Sequence, residues 1–495
     1  MSAPTFAPMD FSRYVWRVSP DDSSKYLREA AGGEVIEDVW NRFNHGEQNL
    51  FLAADLELSV DTPVNDFIAR AKAAWLAMRF SLPIVAANTE QDEAGNSLVT
   101  YKVPHDQQEA LEWASRTVRL YEGTTDLDEL RYRIGQNKIP EPNGDQTFLY
   151  FVTRSSTSYG LLMHTHHTPF DGAGTKIAIT KYLQILAPYL SVPSLASKQF
   201  QWGKEVENLT PVASEILAPS EPREGEPYNQ TLAGVMGDLA AAMPRQYGFK
   251  TRDIGPGPTR RASYTFAPEE SAKIIQNARS LGYTITQVAH GAVCLVCASD
   301  NPPNESTPDD ASFVFYGLVD SRARLAAPWS SREGYPGYCL GMSAIVVPVK
   351  LVQSSAAEGE KAQLLKLADA VKQEYAKQKS YPSLLAIEAQ EVEMMLAGLR
   401  SGAPPPPPWM GPWFAGDGIG ETYLQPEYKD SQGNVVVKVT DFFNSLNKTD
   451  PGPFFRVHSW NKRLTLAADY NEVAMPRDVV DGFIKKWAEL MSILL

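Results

Sequence analysis

One stretch constrains this chain more than any other. Residues 161–174 run Leu161-Leu162-Met163-His164-Thr165-His166-His167-Thr168-Pro169-Phe170-Asp171-Gly172-Ala173-Gly174, which puts three of the seven histidines within four positions and follows them with an acid and two glycines. Upstream, the aliphatic, aromatic and β-branched runs 148–153 and 159–165 flank the polar Arg154-Ser155-Ser156-Thr157-Ser158, a pattern that predicts a hairpin. Strand side chains alternate between faces. Leu161, Met163, Thr165 and His167 should therefore share one face and Leu162, His164 and His166 the other, so the two adjacent histidines should do different work. Thr168-Pro169-Phe170 ends the strand. Gly172 and Gly174 then permit a tight turn into residues 175–186, where Ile179, Tyr182, Leu183 and Leu186 recur at helical spacing. A histidine at such a corner can turn one ring nitrogen to a cavity, and an ordinary pKa of about 6.5 lets it accept a proton at neutral pH. That makes His167 a candidate general base. Asp171 can point into the cavity beside it or back into the protein, and Gly172 leaves room for close backbone packing.

His166-His167-Thr168-Pro169-Phe170-Asp171-Gly172 resembles the HHxxxDG motif of the large acyltransferase superfamily that includes chloramphenicol acetyltransferase, the plant BAHD acyltransferases and the condensation domains of peptide synthetases. The seven-residue form at a strand end before a helix is far more specific than a bare HxxxD. The resemblance implies His167 as the base and Asp171 as a structural organiser, with His166 and Gly172 supporting the site. A metal hydrolase is the rival reading, since His-x-His before an acid is similar to the metallo-β-lactamase pattern. That pattern requires His-x-His-x-Asp-His, and Thr168 and Pro169 stand where its further ligands belong. No metal is expected.

A second motif lies far along the chain. Residues 313–325 form a strand-like run ending in Asp320-Ser321-Arg322-Ala323-Arg324-Leu325, followed by Gly337-Tyr338-Cys339-Leu340-Gly341. It is similar to the superfamily's second signature, in which an arginine pairs with the motif aspartate. A planar guanidinium meets a carboxylate bidentately. Arg322 is the expected partner of Asp171, with Arg324 as the fallback.

The chain of 495 residues exceeds what one core usually supports and predicts two domains. Residues 1–195 read as a first αβ unit carrying the histidine motif, 196–258 as a Pro-, Glu- and Ser-rich crossover linker with a short helix near 232–242, and 259–495 as a second unit. A net charge of −13 argues against nucleic acid or an anionic membrane as partner. The N-terminus shows no signal-peptide pattern and no stretch has the length of a membrane span, so a cytoplasmic monomer is the expectation. Cys294 and Cys297 form a CxxC within the apolar run 286–298, where core packing is expected rather than redox or zinc chemistry. Near the end, Pro404 to Pro408 require an extended loop. Asp417-Gly418-Ile419-Gly420 stands where BAHD enzymes carry DFGWG, and the departure argues against a plant-type enzyme.

The resemblance implies an α/β fold of two chloramphenicol-acetyltransferase-like domains, each a mixed sheet packed with helices, meeting at a central solvent tunnel with His167 midway. It also implies acyl transfer from acetyl-CoA, a co-substrate rather than a bound cofactor, to a hydroxyl of a small, largely apolar acceptor. Within the superfamily the nearest likeness is to fungal O-acyltransferases of secondary metabolism, those acting on trichothecenes and related terpenoids among them. The alternatives are a condensation-type enzyme fed by a carrier-bound thioester and a catalytically silent scaffold.

Overall fold

The hairpin forms as the alternation requires. Strand Thr147–Ser155 pairs antiparallel with Ser158–Thr165, and Leu50–Leu58 flanks the latter on its other edge. Leu161 and Met163 enter a core with helices Val64–Ser81 and Gly172–Ser191, while Leu162 joins the opposite layer under helix Leu127–Ile134. Strands covered on both faces must be central, and these are. The computed structural model describes residues 5–250, 252–253, 255–354, 358–400 and 411–495.

The first large sheet has six strands in the order Glu427–Lys429, Val435–Leu446, Leu50–Leu58, Ser158–Thr165, Thr147–Ser155 and Val118–Leu120. All pairs are antiparallel except the last. Two of its strands thus come from the region assigned by sequence to the second unit. The reason is visible in Leu50–Leu58: residues 50–54 are buried, and a bare edge there would leave buried backbone groups unpaired. Val435–Leu446 supplies the partners. A second sheet, in the order Trp413–Ile419, Phe454–Trp460, Arg463–Asn471, Thr259–Thr265, packs against helices Ile285–Asp300 and Arg477–Ser492. The antiparallel pair Ser312–Asp320 and Leu340–Pro348 stands apart, and a four-stranded antiparallel sheet near the N-terminus orders Arg17–Val18, Lys25–Glu29, Ser97–Lys102, Asn88–Gln91.

Residues 196–258 are more than a linker. Helix Gly225–Ala242 buries Tyr228, Leu232 and Val235 in a cluster with Tyr335 and Leu384–Ile387. Residues 107–120 form helix Gln107–Thr117 and then the edge strand Val118–Leu120 beside Thr147–Ser155. Cys294 and Cys297 are buried free thiols in a helix of the second core, where burial pushes both far up from ionisation. The proline run 404–408 and Trp409 and Met410 lie outside the described residues.

Candidate active site

His167 follows the strand Ser158–Thr165 and opens the turn to the helix Gly172–Ser191. The Phe170 N–H donates to the His167 carbonyl at 3.1 Å, closing that turn. Asp171 is the N-cap: its Oδ1 accepts from the Gly174 N–H at 2.7 Å, so the helix starts at Gly172, ahead of the apolar periodicity. Gly174, rather than Gly172, carries the steric demand. A Cβ on Gly174 would stand 2.0 Å from the Pro336 carbonyl oxygen, whereas one on Gly172 would meet nothing within 4 Å and face the cavity.

Arg322 meets Asp171 at this corner. Its Nη1 and Nη2 donate to Oδ2 at 3.0 Å and Oδ1 at 2.8 Å, and the Cys339 N–H adds a third donor to Oδ2 at 2.9 Å. The guanidinium also donates to the carbonyls of Tyr335 (2.8 Å) and Gly337 (2.7 Å) and to Asp320 (3.0 Å). Burial disfavours its charge, but the Asp171 and Asp320 carboxylates outweigh that and keep it firmly protonated. Arg324 takes no part, pairing with Glu221 at 2.6 Å. The motif aspartate thus joins the histidine corner to a strand end 151 residues away in sequence.

The three histidines separate as their positions suggest. His164 stacks on Phe51 with centroids 4.4 Å apart, deep in the core. His166 is fully buried, and its Nδ1 accepts from the Thr168 N–H at 3.1 Å. His167 alone of the three borders a cavity of about 190 Å³ at the junction of the sheets. Burial lowers its pKa to about 4, against the Asp171 charge and nearby backbone carbonyls, so the imidazole is neutral at physiological pH. Its Nδ1 lies 3.7 Å from Glu37 Oε1 and its ring 5.7 Å from that of Tyr338. Nδ1 is buried and finds no hydrogen-bond partner among the described residues. Among the described residues, no group of three or more His, Cys, Asp or Glu side chains is arranged to hold a metal ion.

The cavity wall is largely apolar, with Ile36, Trp40, Leu50, Leu318, Leu340 and Met342 among its residues. Of its polar members, Glu37, Lys176 and Arg456 were not singled out from sequence. Lys176 Nζ donates to the Asp417 carbonyl at 3.3 Å, and Arg456 Nη1 meets both Asp417 carboxylate oxygens at 3.2 Å. Burial lowers the Lys176 pKa while Asp417 opposes the shift. Asp417 had a sequence signal as the acid of the altered DFGWG position, and Asp320 and Tyr338 lie in the second motif. Glu37 came from a helix the sequence did not announce.

The sequence matches the family model described as 15-O-acetyltransferase Tri3 over residues 4–390. It is 22% identical to the trichothecene 15-O-acetyltransferase TRI3 of Fusarium sporotrichioides over 520 residues, covering 99% of this chain and 98% of that protein. It is also 22% identical to the trichothecene O-acetyltransferase TRI3 of Trichoderma arundinaceum, with the same coverage of each. The solved TRI3 structure from Fusarium sporotrichioides superposes with a TM-score of 0.87 over 100% of both chains at 19% identity. The first condensation domain of the calcium-dependent antibiotic synthetase gives 0.61 over 94% of this chain and 96% of that one at 12% identity, a likeness of fold. With the family model spanning most of its length, the chain belongs to the 15-O-acetyltransferase Tri3 family and is an acetyltransferase.

Proposed function

We propose that this acetyltransferase moves the acetyl group of acetyl-CoA onto a hydroxyl of a trichothecene or closely similar oxygenated terpenoid, with His167 as general base. One observation carries the chemistry: a neutral imidazole borders an apolar cavity while the motif carboxylate is turned away to Arg322. A neutral imidazole can take a proton, and an apolar wall suits a terpenoid skeleton. The acceptor class rests on the names of the relatives, which act on trichothecenes.

In the proposed reaction His167 Nε2 removes the hydroxyl proton as the oxygen attacks the thioester carbonyl. The tetrahedral oxyanion collapses, the C–S bond breaks, and the imidazolium returns its proton to the CoA thiolate. No covalent enzyme intermediate is needed. Asp171 takes no proton, since its lone pairs are engaged by Arg322, Gly174 and Cys339.

The test is to incubate the protein with acetyl-CoA and a panel of terpenoid alcohols and follow thiol release and acetylated product. Activity that disappears in His167→Ala is expected. Thiol release that is independent of every alcohol refutes the reading, and a strict need for an acylated carrier protein replaces it with the condensation reaction.

A further inference from the structure

Helix Gly33–Phe43 buries its polar side, an inversion of the usual amphipathic arrangement. Three of those polar groups are satisfied. Glu34 receives both Arg28 Nη atoms at 2.6 and 2.7 Å, Asp38 accepts from Arg42 and Ser97, and Asn41 donates to Asn49 at 2.7 Å. Glu37 is the exception. Its side chain is 7% exposed, its Oε1 stands 3.7 Å from His167 Nδ1, beyond hydrogen-bond length, and its Oε2 finds no hydrogen-bond partner among the described residues. Glu37 is one of the residues that line the same cavity as His167.

A buried polar group without a partner is costly, and a ligand that supplies one is favoured by the same amount. Burial, with Glu47 adding to it, pushes the Glu37 pKa well up and favours the protonated form, which offers one donor and a carbonyl acceptor. Its neighbours along the cavity are Ile36, Trp40 and Tyr338, which suit a compact apolar molecule. The cations that line the cavity, Lys176 and Arg456, gather instead about Asp417. An acidic side chain among apolar ones is no place for the phosphates of CoA and suits an uncharged, oxygen-bearing molecule.

We propose that Glu37 is an acceptor-binding residue, its carboxyl O–H donating to an oxygen substituent of the terpenoid next to the hydroxyl that His167 deprotonates. The assignment rests on the acyl-transfer reading above. It gives the cavity a specificity determinant: a neutral donor beside the base selects acceptors with a second oxygen close to the reacting one, and a monohydroxylated hydrocarbon skeleton is bound less well.

The experiment measures kcat and separate KM values for acetyl-CoA and an oxygenated terpenoid alcohol in wild-type protein, Glu37→Gln, Glu37→Leu and Glu37→Met, with a thermal melt of each. Glu37→Gln keeps a donor and an acceptor and should stay within about threefold of wild type, while the Leu and Met variants should raise the acceptor KM about tenfold or more. The acetyl-CoA KM should not follow. Two apolar variants are used so that a fold defect in one does not decide the result. An unchanged acceptor KM in a folded apolar variant overturns the proposal, as does a rise confined to the acetyl-CoA KM. Loss of kcat in both Gln and Leu variants at constant acceptor KM also overturns it, by assigning the carboxyl to His167. A wild-type protein that acetylates no alcohol removes the reading on which the proposal rests, an outcome distinct from an active enzyme indifferent to Glu37.

Discussion

Removing the Arg322 guanidinium tests the architecture of the site most directly. Asp171 is fully buried and Arg322 is 2% exposed, joined by contacts of 2.8 and 3.0 Å. In Arg322→Ala the carboxylate keeps only the N–H groups of Gly174 and Cys339. In Asp171→Asn the guanidinium keeps two carbonyls and the Asp320 carboxylate, and so remains partly neutralised. Breaking a buried pair by removing one partner costs about 3–5 kcal/mol. At about 2–4 °C per kcal/mol for a cooperative unit of 150–250 residues, that is a fall in Tm of about 6–20 °C. Arg322→Ala should fall toward the larger end and Asp171→Asn toward the smaller. Both should lose acyl-transfer rate, because the turn that holds His167 is anchored by this pair. Thermal or urea unfolding of the two single variants and the double variant closes a cycle whose coupling should be about 0.5–3 kcal/mol. Additive single effects, or an Arg322→Ala protein that melts with wild type, would refute the structural role of Asp171.

The remaining predictions concern the base and what it does not need. His167→Ala should lower kcat about 10²–10⁴-fold with a nearly unchanged melt; more than half of wild-type kcat remaining would end the assignment. His166→Ala should show the reverse balance, since its Nδ1 accepts the Thr168 N–H inside the fold. With the His167 pKa held down to about 4, kcat/KM should be level from neutral pH into mildly acidic solution and fall only as pH drops through about 4, where the base becomes protonated. An acid limb centred near about 6.5, the ordinary histidine value, would show that burial does not hold the free enzyme's imidazole neutral. Chelators should leave the rate unchanged, because His164 is stacked on Phe51 and His166 is engaged by Thr168, and free acetyl-CoA should serve as donor without a carrier protein.

What could be read from the sequence was local or carried by paired charges. The hairpin followed from alternation over 148–165, and the meeting of Asp171 with Arg322 followed from two charged strand ends with resembling motifs. The true start of the helix at Gly172 was hidden because its first turn has no apolar periodicity and is fixed instead by the Asp171 cap. Helix Gly33–Phe43 was illegible for a stronger reason. It buries Glu34, Glu37, Asp38 and Asn41 and turns Ile36 and Trp40 to the cavity, against the rule by which helices are recognised. Nothing local in residues 427–446 says that strands Glu427–Lys429 and Val435–Leu446 cross to the first sheet. Arg131 shows how thoroughly the two regions are knitted: buried in the Leu127–Ile134 helix, it donates to Ser445, Leu446 and Thr259. A boundary drawn from composition near residue 259 cannot see such bonds.

The same geometry bears on how His167, as the proposed base, works with so low a pKa. Many catalytic histidines are held by a carboxylate that stabilises the imidazolium, but here the motif carboxylate is committed to Arg322, and burial pushes the pKa of the other nearby acid, Glu37, well up. A lone imidazolium is therefore disfavoured in the cavity. The proposed reaction supplies its own counter-charge, because taking the hydroxyl proton while the oxygen bonds to the thioester carbon creates an oxyanion in the same cavity at the same moment. In a dry, low-dielectric site that ion pair attracts far more strongly than it would in water. Proton removal and carbon–oxygen bond formation are consequently tied together, and the imidazolium persists only until the oxyanion collapses and the departing thiolate takes the proton. In the proposed reaction, desolvation of His167 thus does two things at once: it keeps the imidazole unprotonated before the acceptor binds, and it makes premature deprotonation of the alcohol unfavourable when no thioester is present to receive the oxygen.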